Sequence, residues 1–390
     1  MTLLLDSIFS SVALGHLIVD MLNSQRLVVF TYLAIQTGMS NTTLGMFSTI
    51  YVWVASASQP IFGWLVDRFG QRLIAPLGIL WQAGLFCFAM SLPGMWALVV
   101  LVISSLGSAA FHPAGTAQAT LSGRDRLSGR ETTSASFFFF FGQFGYFFGP
   151  MVGGPLLQRF GPSGLLVLGA LAIPLGLNAG WQMRALPKPE SRPIQAGGSG
   201  FRLTISRKFL AALALVAGLQ AAAQQNMITF FPKYLADMNL SPAIYGSMAG
   251  LFVGGSAAGG VLGGWLADRI GKRQVAFTAL LLASLPMFAI ARLGWTPWLY
   301  AIVPLAGGLT GAVHSILVVT AQRAMPVGMG FVSGLTLGFI FSAGAVGTAL
   351  CGPLADVRGF PALFELTAFL ALAAAGLTLL WPRDQAAGRV

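Results

Sequence analysis

The chain has 390 residues, of which 56% are hydrophobic and 8% charged, with a formal net charge of +11 and 2 cysteines. Soluble domains carry about 25% charged residues, so the shortage of charge excludes a water-soluble globular fold. The basic excess is not a nucleic-acid surface, because Lys and Arg are confined to short gaps between apolar runs, the pattern of loops beside a membrane.

About 20 apolar residues cross a bilayer, and stretches of that kind fall at 6–34, 42–66, 73–92, 94–120, 132–157 and 161–182, then at 208–235, 242–267, 274–293, 297–323, 329–354 and 361–381. They predict an all-α integral membrane protein of twelve transmembrane helices. Met1 to Asp6 carries no basic run, so the first stretch reads as a retained helix and not as a leader that is removed.

The first span holds His16 and Asp20, four residues apart and therefore on one helical face. An ionisable group at membrane depth costs roughly 2.5–3.5 kcal/mol on insertion scales. The pair is accordingly expected to hold and release a proton; the alternative is a neutral hydrogen-bonded pair that fixes helix contacts. Arg26 stands about 9 Å further along the axis and either contacts an anionic substrate or reaches the membrane surface.

The second span ends in Gly63-Trp64-Leu65-Val66-Asp67-Arg68-Phe69-Gly70-Gln71-Arg72, and the eighth in Gly264-Trp265-Leu266-Ala267-Asp268-Arg269-Ile270-Gly271-Lys272-Arg273, an offset of 201 residues. A multi-helix unit is thus repeated head to tail. Such halves enclosing a midplane cavity are the construction of a transporter. In the fourth span His112 precedes Pro113, which frees a carbonyl and suits a bent helix lining a cavity, so His112 is expected to contact substrate or a proton; the alternative is a histidine merely bonded to a carbonyl. His314 falls one residue from its repeat position and is expected to be bonded to a carbonyl. Cys87 and Cys351 lie in separate apolar runs and read as packing thiols.

The fifth span carries Gly145, Gly149, Pro150, Gly153 and Gly154, a spacing that lets helix backbones approach closely. The phenylalanine run from Phe137 to Phe141 must cover several faces of that helix and meets mostly lipid or neighbouring helices. After the sixth span, residues 183–207 form a basic, Pro- and Gly-rich linker that separates a bundle at 1–182 from a second bundle with a short tail at 208–390. In the seventh span Gln220, Gln224, Gln225 and Asn226 form a polar stripe that serves either substrate or helix joints. Glu365, near one end of the twelfth span, is expected to reach the interface.

If both termini and the linker are cytoplasmic, only Arg26, Arg159, Lys233, Arg292 and Arg358 lie elsewhere among the basic residues, which sets the orientation. The sequence holds no G-x-x-x-x-G-K-[ST] loop, no Cys/His metal spacing and no nucleophile elbow. It therefore predicts no enzyme, no ATP hydrolysis, no metal and no cofactor; the His16 and Asp20 pair, together with the family resemblance given below, implies a proton gradient as the source of energy.

These features resemble the major facilitator superfamily over the whole chain: twelve spans, a six-plus-six repeat, a central basic loop and the G-x-L-x-D-R-x-G-x-R loop in both halves. The first copy departs at Val66, where a smaller residue is usual, and at Gln71, where a base is usual. The resemblance implies that Asp67, Arg68, Arg72, Asp268, Arg269 and Arg273 form a gate that locks one facing state, a carboxylate pairing with an arginine or a helix amino end. The alternative is that the loops only set topology. Gly145 to Gly154 resembles the G-x-x-x-G-P-x-x-G-G signature of the antiporter branches, and His16-Leu17-Ile18-Val19-Asp20-Met21 with Phe111-His112-Pro113 looks like the fosmidomycin-resistance branch of drug exporters. That branch has a Glu where this chain has Ala114, and the arginine many antiporters carry in the fourth span is missing from 102–107.

What the resemblance implies is a bacterial inner-membrane secondary transporter working by alternating access, a monomer exporting a small amphipathic or anionic compound in exchange for protons. Its partners are that small molecule, protons and membrane lipid, and no nucleic acid. A proton-driven metabolite importer is the nearest alternative; a sensor or assembly protein without turnover is a more distant one.

Overall fold

A computed structural model describes residues 2–126, 131–186, 206–324 and 329–382. Among the described residues every regular element is helical. A chain in hydrocarbon must satisfy its backbone polar groups internally, and a helix does so within one segment.

In chain order the helices are α1 (Ser7–Ser24), α2 (Arg26–Thr37), α3 (Asn41–Ala57), α4 (Gln59–Phe69), α5 (Gln71–Met90), α6 (Gly94–Arg126), α7 (Glu131–Phe160) and α8 (Leu166–Met183), followed by α9 (Arg207–Asp237), α10 (Pro242–Ile270), α11 (Lys272–Leu293), α12 (Leu299–Gly311), α13 (His314–Ala324) and α14 (Met329–Thr378). Asp6 caps α1, its Oδ1 accepting from the Phe9 N–H at 2.7 Å.

Three expected spans are interrupted. The first breaks at Gln25, whose N–H donates to the Leu22 carbonyl in a tighter turn. The second breaks at Ser58, just before Pro60, which has no N–H to give, and the tenth breaks between Gly311 and His314. Conversely, the eleventh and twelfth expected spans run together as α14, with one non-helical residue, Gly359 (φ 77°), between them.

Among the described residues, eight stretches are long and apolar enough to cross a bilayer, so that measure does not reach the expected twelve. Two of the eight, 134–183 and 335–378, are 50 and 44 residues long, well beyond the 20 or so that one crossing needs. The break at Ser58 shortens α3 and α4, and the amide stripe from Gln220 to Asn226 makes α9 less apolar.

Gly70 and Gly271 close the repeated loop at φ 86° and 98°, a backbone region in which only glycine is unstrained. The same frame occurs twice more. Gly154-Pro155-Leu156-Leu157-Gln158-Arg159-Phe160-Gly161 ends at Gly161 (φ 63°), and Gly352-Pro353-Leu354-Ala355-Asp356-Val357-Arg358-Gly359 ends at Gly359. Each half of the chain thus carries the frame two times.

By their contacts the residues divide into two compact units, unit 1 being Met1–Gly38, Ile50–Ala196 and Leu240–Gly250, and unit 2 being Met39–Thr49, Gly197–Asn239 and Leu251–Val390. Compared with the expected bundles at 1–182 and 208–390, two segments change sides. Of the linker at 183–207, residues 187–205 lie outside the described residues.

In unit 1, α1 packs on α7, α8 and α6, and α5 lies between α6 and α8. Gly145 and Gly149 let α7 come against α1: a Cβ on Gly145 would strike the Leu17 carbonyl, and one on Gly149 the Ser24 hydroxyl. The start of α10 joins this unit by the same device, with Gly246 against the Pro150 carbonyl and Gly154 against that of Pro242.

In unit 2, α14 packs on α9 and α11 around Val216, Leu280, Val313, Leu317 and Ala375. The start of α3 belongs here because Asp356 accepts from the N–H groups of Asn41 and Thr42 at 2.7 and 2.9 Å and from the Thr42 hydroxyl at 2.6 Å. Glu365, expected to reach the interface, pairs at 2.5 Å with Arg292, whose side chain is largely exposed.

Candidate functional site

The most concentrated chemistry of unit 1 lies on one face of α1. His16, Asp20 and Asn23 follow one another at helical spacing, and α5, α6, α7 and the later part of α3 bring partners to them. His16 is 2% exposed and Asp20 8%, so both are withdrawn from solvent. Their side chains meet at 3.2 Å, Nε2 of His16 facing Oδ2 of Asp20, while Nε2 of His112 on α6 faces the other carboxylate oxygen at 3.3 Å. One carboxylate is thus held between two imidazoles.

The outer ring nitrogens fix the proton positions. Nδ1 of His16 lies 2.7 Å from the Phe138 carbonyl, and Nδ1 of His112 lies 2.7 Å from the Ser108 carbonyl. A carbonyl only accepts, so each Nδ1 carries a hydrogen and donates it. In the neutral imidazoles both Nε2 lone pairs then point at carboxylate oxygens. The contact becomes favourable only when a positive charge enters: a proton on either ring, or on the carboxylate, turns repulsion into a hydrogen bond.

Packing holds the rings in place. Phe138 stacks on His16 at 4.0 Å between centroids, and the two imidazoles meet edge to face at 5.0 Å. Gly142 is required beside them, since a Cβ there would strike the His16 ring and approach Oδ2 of Asp20 to 2.8 Å.

The cluster continues through residues that sequence reasoning did not single out. Asn23 donates to the Ser108 hydroxyl at 2.7 Å, and its Oδ1 accepts from Tyr51 at 2.6 Å and from Gln82 at 3.4 Å. Asn23 was accessible to the sequence, being seven residues from His16 on the same stripe. Tyr51 and Ser108 were not, since each lies among several other polar residues of its span, and Gln82 was not, since it stands far from any other amide.

Arg26 is buried at 9% exposure, where Nη2 donates to the Tyr146 hydroxyl at 3.1 Å and the guanidinium sits 5.7 Å from the centre of the Tyr51 ring. It therefore lies inside unit 1, connected through Tyr51 to Asn23. The arrangement leads from a buried carboxylate to a buried guanidinium, which can pair with an anion.

The other expected residues are differently placed. Gln220 donates to Gln224 and to the Thr310 carbonyl, both at 3.0 Å, and Gln224 donates to the Ser256 hydroxyl at 2.8 Å. Asn226 donates to Cys351 Sγ and the Thr367 hydroxyl, both at 3.2 Å. In unit 2 these amides tie α9 to α10, α12 and α14. His314, half-buried, has its ring 6.2 Å from that of Phe341.

In the repeated loops the arginines lie over aromatic rings, Arg68 at 5.4 Å from Trp64 and Arg269 at 3.8 Å from Trp265, and Arg72 donates to the Leu186 carbonyl at 3.2 Å. Arg273 is half-buried, and Asp67 and Asp268 are exposed.

Comparison with known proteins places this geometry. The residue pattern of the Major Facilitator Superfamily matches residues 12–348 and 213–389. The chain is 27% identical to the fosmidomycin resistance protein of Escherichia coli over 377 residues, covering 94% of this chain and 90% of that protein. It is 27% identical to the multidrug efflux pump Tap of Mycobacterium tuberculosis over 331 residues, or 78% of this chain and 76% of that one. Among solved structures, a bacterial homologue of the human lysosomal transporter Spinster shares the fold with a TM-score of 0.78 at 16% identity, covering 96% of both chains. With its apolar helices, its repeated loops and a family pattern that spans nearly all of its length, this chain belongs to the major facilitator superfamily of multi-pass membrane transporters.

Proposed function

We propose that the protein is a proton-coupled exporter of the bacterial inner membrane that moves a small amphipathic or anionic compound by alternating access. The observation that carries the reading is the Asp20 carboxylate held between His16 and His112, with both Nδ1 hydrogens committed to backbone carbonyls. A proton entering this cluster changes the contact between α1 and α6 from repulsive to attractive, and it biases the balance of conformations by that difference. His112 then belongs to the coupling group with Asp20 and His16, while Arg26, braced by Tyr146, is the contact for an anionic substrate. Export is supported by relatives named for drug resistance and efflux.

In this reading no cofactor is used, the proton gradient supplies the energy, and the chain works as a monomer with both termini in the cytoplasm. The Asp67 and Asp268 loops act as the gate. Within the Gly145 to Gly154 stripe, Gly145 and Gly149 give the close α1–α7 contact along which that change is transmitted.

The test is substrate-driven proton movement in proteoliposomes that hold a pH dye, with phosphonates, antibiotics and organic acids offered, fosmidomycin among them. A substrate-dependent signal is expected in the parent, and Asp20→Asn should abolish it while leaving the protein folded. The sign in oriented vesicles separates antiport from the symport of an importer. An undiminished signal in Asp20→Asn removes Asp20 from the mechanism.

A further inference from the structure

The cluster at the centre of unit 1 presents more than a proton site. His16, Asp20 and His112 can each offer one ligand atom so that the three lie within 4.8 Å of one another, and Nε2 of His16 and Nε2 of His112 stand 3.2 and 3.3 Å from the two oxygens of the Asp20 carboxylate. Ligand atoms bound at about 2.0–2.2 Å to one tetrahedral ion stand roughly 3.4 Å apart, so each imidazole nitrogen is already close to that spacing from a carboxylate oxygen, and the three groups together lie within 4.8 Å.

Their orientation agrees. Both imidazoles donate Nδ1–H to a backbone carbonyl, at 2.7 Å in each case, and so aim the Nε2 lone pair inward. A far ring nitrogen donated to a carbonyl or carboxylate is the contact that sets the tautomer of metal-ligating histidines. Two imidazoles and one carboxylate without a thiolate suit a borderline divalent ion in preference to Cu⁺ or to Mg²⁺. The His112 side chain keeps 24% exposure against 3% for His16, so the cluster is more accessible from the side of α6.

We propose that His16, Asp20 and His112 bind one divalent ion of the zinc class, using the same electron pairs that take up protons in the transport reading. The inference rests on ligand geometry and does not require that transport be coupled to protons. The sequence conceals the site, because two ligands sit four residues apart on α1 and the third is far along the chain on α6.

The full-length protein, with any affinity tag removed, is titrated in detergent with Co²⁺ alone, and the Co²⁺ is then displaced with Zn²⁺. One Co²⁺ per chain is expected, with visible absorption bands of a nitrogen- and oxygen-ligated ion that Zn²⁺ abolishes. His112→Asn and Asp20→Asn should each weaken binding by at least about tenfold, whereas His314→Asn, which alters the one histidine outside the cluster, should leave it unchanged. Zn²⁺ should also raise the melting temperature of the parent and of His314→Asn but not of the two ligand variants, and helical circular dichroism identifies any variant that has failed to fold. A folded parent with no saturable band, or equal affinity in His112→Asn, overturns the proposal. Vesicle experiments without proton movement would count against the coupling reading alone, since ion binding in detergent is measured separately.

Discussion

At the scale of single residues, function rests on which polar groups are buried together. Asp20, His16 and Arg26 were legible because charged or titratable groups inside apolar runs are rare and costly. Roles were less so: His112, read from its proline neighbour as a contact for substrate or a proton or else as bonded to a carbonyl, lies against both the Asp20 carboxylate and the Ser108 carbonyl. The amides Gln220, Gln224 and Asn226 turn their donors to neighbouring helices of unit 2, the alternative that the sequence had left open. Helical spacing alone does not separate a face that meets a cavity from one that meets another helix. Arg26 carries a prediction at this scale. The planar fork that reaches Tyr146 is lost in Arg26→Lys, so apparent affinity for an anionic substrate should fall about tenfold while uptake of a neutral one into vesicles is unchanged. Equal losses for both substrates would show that Arg26 acts on the helix and not on the charge.

At the scale of elements, glycine and proline decide where helices stop and how closely they pack. The repeated Gly70 and Gly271 were visible as part of the decapeptide, and their positive φ gives the reason for the repeat: each ends one helix and turns the chain into the next. The two further copies of the frame, ending at Gly161 and Gly359, were passed over because Gln158 stands where the others have aspartate and Val357 displaces the arginine by one place. The carboxylate of that last copy has a definite task. Asp356 accepts two backbone N–H groups and a hydroxyl at the start of α3, a cap delivered from a distant helix. Asp356→Ala should therefore destabilise unit 2 by about 0.5–2 kcal/mol in unfolding followed by circular dichroism in detergent, and Asp356→Asn by less, because an amide oxygen still accepts. Identical melting of Asp356→Ala and parent would show that the cap contributes nothing.

At the scale of the whole molecule, the gate is the remaining expectation. The repeated loops place Asp67 and Asp268 in exposed positions and lay Arg68 and Arg269 on tryptophan rings of the same loops. If these loops lock one facing state, Asp268→Asn should shift the balance between states, read as altered labelling of single cysteines placed along α9 and α10; unchanged labelling would leave the loops a topological role only. The membrane class, the duplication and the family follow from the sequence by itself, because they depend on composition and on periodic spacing, which a linear chain displays directly. The site does not. The second imidazole at Asp20 comes from α6, the carbonyl that holds His16 from α7, and the partners of Asn23 from α3, α5 and α6, and α1 can receive them because Gly142, Gly145 and Gly149 allow α7 to approach so closely. Helix rotation and the distance between packed backbones are set by side-chain volume at those contacts, so only the tertiary structure decided that one carboxylate lies between two imidazoles.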